Sequence, residues 1–319
     1  MTKRLLLGIE GGATKTTGVV TDAGLRVVAR FVGGPTNLHA VGKKEAQGAL
    51  TEILAELLSA AGIRQESLAA SALCIAGVRT GMDVFRWRQI VEELGIPEPV
   101  AITHDAAAGL AAGSPDQPGI LVVCGTGSLV YARGADGAEK FVGGRGPILG
   151  DEGSGFDIGH RALRAAARSA DGRGPKSLLE RLIPERLKLA GLDDLVPWAS
   201  PFAKERVAGV APIVFEAAEA GDAVARRIVQ GAVEELARGV EAAARGLWSP
   251  PAQPARVVLY GGVLRNQPVM RDALAAAVKG FAPDAACALP EVEGAVGAAR
   301  LAKRARPGQR SSQTRKTMR

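Results

Sequence analysis

The chain has 319 residues, 47% of them apolar and 23% charged, and a formal net charge of +7. That length exceeds what one hydrophobic core usually supports, so two domains are expected, and the composition is ordinary for a soluble globular protein. Lys303, Arg304, Arg306, Arg310, Arg315, Lys316 and Arg319 account for the whole charge excess, so the body is near neutral and its charge argues against a nucleic-acid partner.

Residues 4–9, 16–21 and 25–32 read as three strands. Gly11 and Gly12 mark the first turn and Asp22-Ala23-Gly24 the second, which makes the opening an antiparallel meander. Basic residues precede the first apolar run, but it stops at Glu10, short of the roughly 7–15 apolar residues of a secretory leader. No stretch approaches the ~20 apolar residues of a membrane helix, so a cytoplasmic protein with no membrane partner is expected. A helix follows over 43–61, with Leu50, Ile53, Leu54, Leu57 and Leu58 on one stripe. Residues 69–76 read as a buried strand, 82–94 as a helix, 99–103 as a strand that stops before His104-Asp105, and 106–112 as a helix of small residues.

The breakers Ser114-Pro115-Asp116-Gln117-Pro118 mark a boundary. Strands at 120–123, 128–133 and 139–142 then surround Gly125-Thr126-Gly127 and Asp136-Gly137, repeating the strand–turn pattern of the first half. Residues 155–247 are mostly helical. The clearest helix spans 223–247, with Asp222 where an N-cap belongs. A strand at 256–260, Gly261-Gly262, a helix after Pro268 and a last helix over 293–302 complete the chain. Alternating strands and helices give an α/β fold, and the hairpin-connected strands make each sheet mixed. The expected domains are 1–116, completed by a helix at 293–303, and 117–292, with 304–319 a basic disordered tail.

Cys74, Cys124 and Cys287 are far apart and odd in number, which suits reduced thiols in a cytosolic protein and no metal or cluster. His39, His104 and His160 share no metal-ligand spacing. The stretch Gly8-Ile9-Glu10-Gly11-Gly12-Ala13-Thr14-Lys15-Thr16 fails the Walker A pattern, because Ala13 and Thr14 stand where Gly and Lys are required. What remains is a glycine turn between strands, either a plain hairpin or an anion-binding concavity of backbone amides. Cys124-Gly125-Thr126-Gly127-Ser128 is a second such turn. Two of them, one opening each half, suit a polyphosphate gripped from both sides. Asp105, at a strand end and a helix start, fits an N-cap or a general base for a hydroxyl, and the two roles are compatible. The glycine-dense segment 143–155, with Asp151 and Glu152, reads as a ligand loop or as a mobile linker. Gly261-Gly262 after a buried strand lets backbone approach a nucleoside, or simply ends the strand.

In this order, the segments GIEGGATKT, GGPTNLHAVG, ITHDAAAGLAAG, VVCGTGS, GGRGPILGDEGSG and LYGGVLRN resemble the actin/hexokinase/Hsp70 superfold. More closely, they resemble the N-acetylglucosamine kinase branch grouped with the BadF/BadG/BcrA/BcrD ATPases, over residues 4–302. The resemblance implies two RNase H-like domains, ATP and Mg²⁺ as cofactors, and an amino sugar as substrate, phosphorylated to its 6-phosphate if it is N-acetylglucosamine. It implies Asp105 as catalytic base. Gly11, Gly12, Thr14, Lys15, Gly125, Thr126, Gly262 and Asn266 would contact ATP. Asn37, Asp105, Ser128, Gly144, Arg145, Gly146 and Asp151 would hold the sugar. Glu10 would approach the metal through water, standing where the superfold usually has Asp. Arg145 stands where similar eukaryotic kinases have Trp, which keeps glucosamine and N-acetylmuramic acid open, the latter through a carboxylate–guanidinium pair. A homodimer is expected. From another class, an ATPase that activates a partner redox enzyme would need cluster-holding cysteines, and a sugar-sensing regulator would need a DNA-binding segment.

Overall fold

The computed structural model describes residues 4–115, 118–248, 254 and 256–306. The described residues of 1–117 and 290–319 form one compact unit and those of 118–289 another. Most of the expected basic tail, from residue 307 on, lies outside the described residues.

In the first unit, β1 (Leu5–Gly11), β2 (Thr16–Thr21) and β3 (Val27–Gly33) form the meander. β4 (Leu68–Ile75) and β5 (Val100–Thr103) extend the sheet beyond β1, giving the order β3-β2-β1-β4-β5. The short turns make β1/β2 and β2/β3 antiparallel, while β1/β4 and β4/β5 are parallel. A parallel neighbour needs a crossover, and the helix Leu38–Ala61 lies in the first of them. Side chains of β1 alternate between two cores. Leu5, Leu7 and Ile9 pack with Ile53, Leu57 and Trp87, and Leu6 packs on the other face with Val19, Ala72 and Ala299. Each Leu or Ile buried in this way contributes roughly 1.5–3 kcal/mol. The second face is thin because its helices, Asp105–Gly113 and Gly294–Ala302, are built from Ala and Gly. A Cβ on Gly8 would collide with the carbonyl of Ala295, so helix and strand backbones touch directly.

The second unit repeats the plan. β6 (Gly119–Cys124), β7 (Ser128–Arg133) and β8 (Glu139–Gly143) are a meander, with β9 (Arg256–Tyr260) and β10 (Ala286–Ala288) parallel beyond β6. The order β10-β9-β6-β7-β8 is that of the first sheet read from the other end. The repeat legible as a sequence pattern is therefore a repeat of topology. The helix Ala223–Leu247 buries Val229, Ala232, Val233, Leu236 and Val240, and Asp222 caps it by accepting the Ala225 amide at 2.7 Å. Among the described residues, no helix is long and apolar enough to cross a membrane.

Four local features differ from the sequence reading. The first long helix begins at Leu38, with Gly42 non-helical at φ 79°, ψ 170°; the periodic stripe starts only after that break. β10 has three residues, Ala-Cys-Ala, too short and too small to signal a strand. The glycine loop contains a short helix, Gly146–Leu149. Finally, Asp105 is not the N-cap. His104 caps, its Nδ1 accepting the Ala107 amide at 3.1 Å, and Asp105 takes the first helical position.

Candidate active site

In the first unit, the carboxyl ends of the parallel strands bring the candidate residues into one row. Glu10 pairs laterally with Cys74, and Cys74 with Thr103, so Gly11, Ile75 and the start of the Asp105 helix end side by side. Ligands of open α/β sheets bind at such strand ends. The turn between β1 and β2 is closed by the Gly12 amide donating to the Lys15 carbonyl at 2.9 Å. Gly12 therefore shapes the turn, and Ala13, Thr14 and Lys15 are the exposed residues on it. Ala13 carries no signal of a ligand role in the sequence, because its side chain has no polar group. Thr36 donates its amide to the Gly12 carbonyl at 3.2 Å, and its hydroxyl lies 2.8 Å from that of Thr16. Asn37 follows at once.

Asn37 accepts the His39 amide at 3.0 Å and so starts the first long helix. A Cβ on Gly77, which has φ +89°, would stand 2.7 Å from Asn37 Oδ1, so the loop after β4 runs against this amide side chain. That loop is tied down by Asp83. Its Oδ2 accepts the Thr80 amide at 2.8 Å and the Thr80 hydroxyl at 2.7 Å, and its Oδ1 lies 3.0 Å from His39 Nε2. Burial works to raise the Asp83 carboxyl, but these hydrogen bonds together hold it below the usual carboxylate range.

Asp105 behaves in the opposite way. Burial pushes its carboxyl above the ordinary value, against the pull of His104, the Ala106 amide at 3.0 Å and Arg79. The residue nevertheless keeps partial access to solvent. A desolvated carboxyl at a strand end, held toward its proton-accepting range, is what a general base requires. Glu10, the last residue but one of β1, sets its carboxylate against the Gly294 backbone, where any Cβ would collide with it. An oxygen donor fixed at that strand end suits a hard cation approached through water.

In the second unit, the Gly125 amide closes the second turn onto the Gly127 carbonyl at 2.9 Å, leaving Thr126 exposed at its tip. The Gly155 amide donates to the Gly125 carbonyl at 2.8 Å, anchoring the turn to the helix Gly155–Ala170. Gly261 has φ +99°, and a Cβ there would collide with the Cys124 carbonyl; Gly262 beyond it is open, with its amide near Gly125. Asn266 ends the short helix Gly262–Asn266 and is exposed. So Gly125, Thr126 and Gly262 come together, with Asn266 one turn away.

Asp151 lies at the foot of this turn. It is only 3% exposed and has φ +61°, a left-handed conformation that non-glycine residues adopt sparingly. Its Oδ1 accepts the Ser128 amide at 3.1 Å, and the Ser128 hydroxyl donates to the Glu152 carbonyl at 2.7 Å. Its Oδ2 stands 2.7 Å from Lys204 Nζ in an ion pair rather than an aligned hydrogen bond. Lys204 was not legible as a site residue, since it lies 53 positions downstream in an unremarkable short helix, Lys204–Ala208. Gly144 and Gly146 take left-handed φ values of 64° and 80° around Arg145, which is exposed.

A family model for the BadF/BadG/BcrA/BcrD ATPases matches residues 7–302. The chain belongs to the BadF/BadG/BcrA/BcrD ATPase family. Within curated proteins it is 34% identical over 267 residues to the N-acetylmuramic acid/N-acetylglucosamine kinase of Clostridium acetobutylicum, covering 82% of this chain and 86% of that one. It is 29% identical over 316 residues to the N-acetyl-D-glucosamine kinase of Dictyostelium discoideum, covering 95% and 98%. Among solved structures, a protein of Chromobacterium violaceum provisionally named an N-acetylglucosamine kinase superposes with a TM-score of 0.72 at 27% identity, over 95% of this chain and all of that one. The family, the superfold and the kinase-like class expected from the motifs are thus met, and in this member of the BadF/BadG/BcrA/BcrD family Asp105 opens the helix that follows β5.

Proposed function

We propose that the protein transfers the γ-phosphoryl group of ATP to a hydroxyl of an amino sugar, with N-acetylglucosamine, at its 6-hydroxyl, as the leading acceptor. The observation that carries this is the desolvated Asp105 carboxyl in the same strand-end row as the Gly11–Lys15 turn. The names of the relatives support the choice of acceptor.

In this reading, the amides of Ala13 and Thr14, the cation of Lys15 and the turn at Gly125 and Thr126 serve the phosphates, while Gly262 and Asn266 serve the nucleoside. Asn37, Ser128, Gly144, Arg145, Gly146 and Asp151 serve the sugar side, with Asp151 acting through the Ser128 backbone it holds. The sugar oxygen attacks the γ-phosphorus, the bond from that phosphorus to the β,γ-bridging oxygen breaks, and ADP leaves. Asp105 accepts the hydroxyl proton as this happens and orients the attacking lone pair. Bound Mg²⁺ would neutralise charge on the phosphate oxygens, and Glu10 would hold it through water.

A second acceptor is favoured by Arg145. It is exposed and has no carboxylate partner among the described residues. The lactyl carboxylate of N-acetylmuramic acid would supply one, and the Clostridium relative's name includes that sugar. The test is ADP release across glucose, glucosamine, N-acetylglucosamine and N-acetylmuramic acid. Turnover with at least one N-acetylated sugar well above the sugar-free rate is expected. Equal rates with and without every sugar would reject the proposal.

A further inference from the structure

Arginines converge in the second unit on residues that the proposed reaction does not use. Arg161, Arg164 and Arg168 recur at i, i+3 and i+7 on the helix Gly155–Ala170 and so share one face. Arg173, from the loop that follows, and Arg227, from the helix Ala223–Leu247, join them around a pocket of about 550 Å³. That volume falls in the range of small-molecule sites, roughly 300–1,000 Å³.

Carboxylates answer only two of the five cations. Asp157 accepts from Arg161 Nε at 2.8 Å, and Asp171 pairs with Arg173. Arg164, Arg168 and Arg227 are exposed and have no carboxylate partner among the described residues. The C-terminal dipole of its helix favours Arg168, but nothing comparable answers Arg164, and like charges one turn apart on a helix repel. A Cβ on Gly231, inside the long helix, would lie 3.0 Å from an Arg161 guanidinium nitrogen, so the helix gives up side-chain bulk where that cation sits. No aromatic residue lines the pocket, so it offers no surface on which a base would stack.

We propose that this pocket binds a small molecule bearing two or more phosphate groups. Planar guanidinium forks match phosphate oxygens two at a time, and several converging on one cavity select for multiple negative charge rather than for a single anion. The inference is independent of the reaction proposed above.

The probe is tripolyphosphate, titrated calorimetrically into the full chain at fixed ionic strength with ADP saturating, so that nucleotide contacts are already filled. Saturable binding is expected, and Arg164→Gln and Arg227→Gln should each weaken it by about tenfold. Both variants should keep wild-type sugar-dependent ADP release and melting temperature, which shows that they fold. Heats no larger than those of a salt-matched control would overturn the proposal, as would wild-type affinity in both variants. Preference for a single-stranded oligonucleotide over tripolyphosphate would also overturn it.

Discussion

Lys204 holds its ammonium 2.7 Å from Oδ2 of Asp151, and a Cβ on Gly127 would fall 2.8 Å from that same ammonium. One lysine therefore meets both the buried carboxylate and the Gly127 side of the second glycine turn. Removing it strands a buried negative charge. Lys204→Met should cost about 2 kcal/mol in urea unfolding, less than the loss of a wholly buried pair because the ammonium keeps some water. Adding Asp151→Asn should recover part of that loss. The single variant should also raise KM for ATP, because the Asp151–Ser128 hydrogen bond fixes the turn. An unchanged unfolding midpoint would mean that the pair is a passive surface contact.

Asp105→Asn removes a proton acceptor while keeping shape. Turnover should fall about 10²–10⁴-fold with sugar affinity nearly unchanged. The pH profile follows from burial. A carboxyl raised above its ordinary value must ionise before it can accept a proton, so kcat/KM should fall with decreasing pH at a point above the usual carboxylate range. Its folded value lies above its unfolded one, so the stabilisation tied to the protonated form is complete below the unfolded value and lost as pH rises through the folded one. At neutral pH the amide variant should therefore melt no lower than wild type, and preferably higher. A variant that is both inactive and less stable would point to a structural acid.

Much of this site was legible because its parts are local. Gly11-Gly12 and Gly125-Thr126-Gly127 announce turns by residue type, and Asp105 announces a strand end by its place after an apolar run. The carriers of tertiary information were not legible. Lys204 meets Asp151 across 53 positions, and no local pattern encodes that meeting. Ala13 offers only its amide. His104 displaced Asp105 as the cap because an imidazole nitrogen accepts an amide hydrogen bond as an N-cap oxygen does, a use that the preference for Asp hides. The thin helical layer over β1 could be guessed from abundant Ala and scarce aromatics, yet its closest contact, Gly8 on Ala295, joins residues far apart in sequence.

Arg145 offers a test of acceptor choice. Arg145→Ala should lower kcat/KM for N-acetylmuramic acid by about tenfold while leaving N-acetylglucosamine within a factor of about three, since only the former brings a carboxylate to the guanidinium. Equal losses for both sugars would assign Arg145 to the shared ring or to loop structure.

The cysteines should separate by burial. Burial, with a further push from Asp157, raises the Cys124 thiol to about 12. Burial raises Cys74 well above its ordinary value too, with Glu10 and Asp105 adding to it, while Cys287 is only half-buried. Thiolates, not thiols, react with disulfide reagents. At pH 8, native protein should thus label at Cys287 first, with Cys74 and Cys124 following only on unfolding. Rapid native labelling of Cys124 would show that the turn after β6 opens far more readily than its hydrogen bonds to Gly155 and Gly153 imply.

Gly261 provides the sharpest steric test. At φ +99° and ψ +164° it occupies backbone space essentially reserved for glycine, and any Cβ would strike the Cys124 carbonyl, which cannot swing aside as a side-chain tip could. Gly261→Ala should cost about 3 kcal/mol, the strain and the collision acting together. The damage should reach nucleotide affinity, because the displaced strand end carries Gly262 away from Gly125. Gly262→Ala separates the two effects, since nothing stands within 4 Å of a Cβ at that position. It should fold with near wild-type stability and lose ADP affinity alone. Wild-type ADP binding in Gly262→Ala would remove this glycine pair from the nucleotide site.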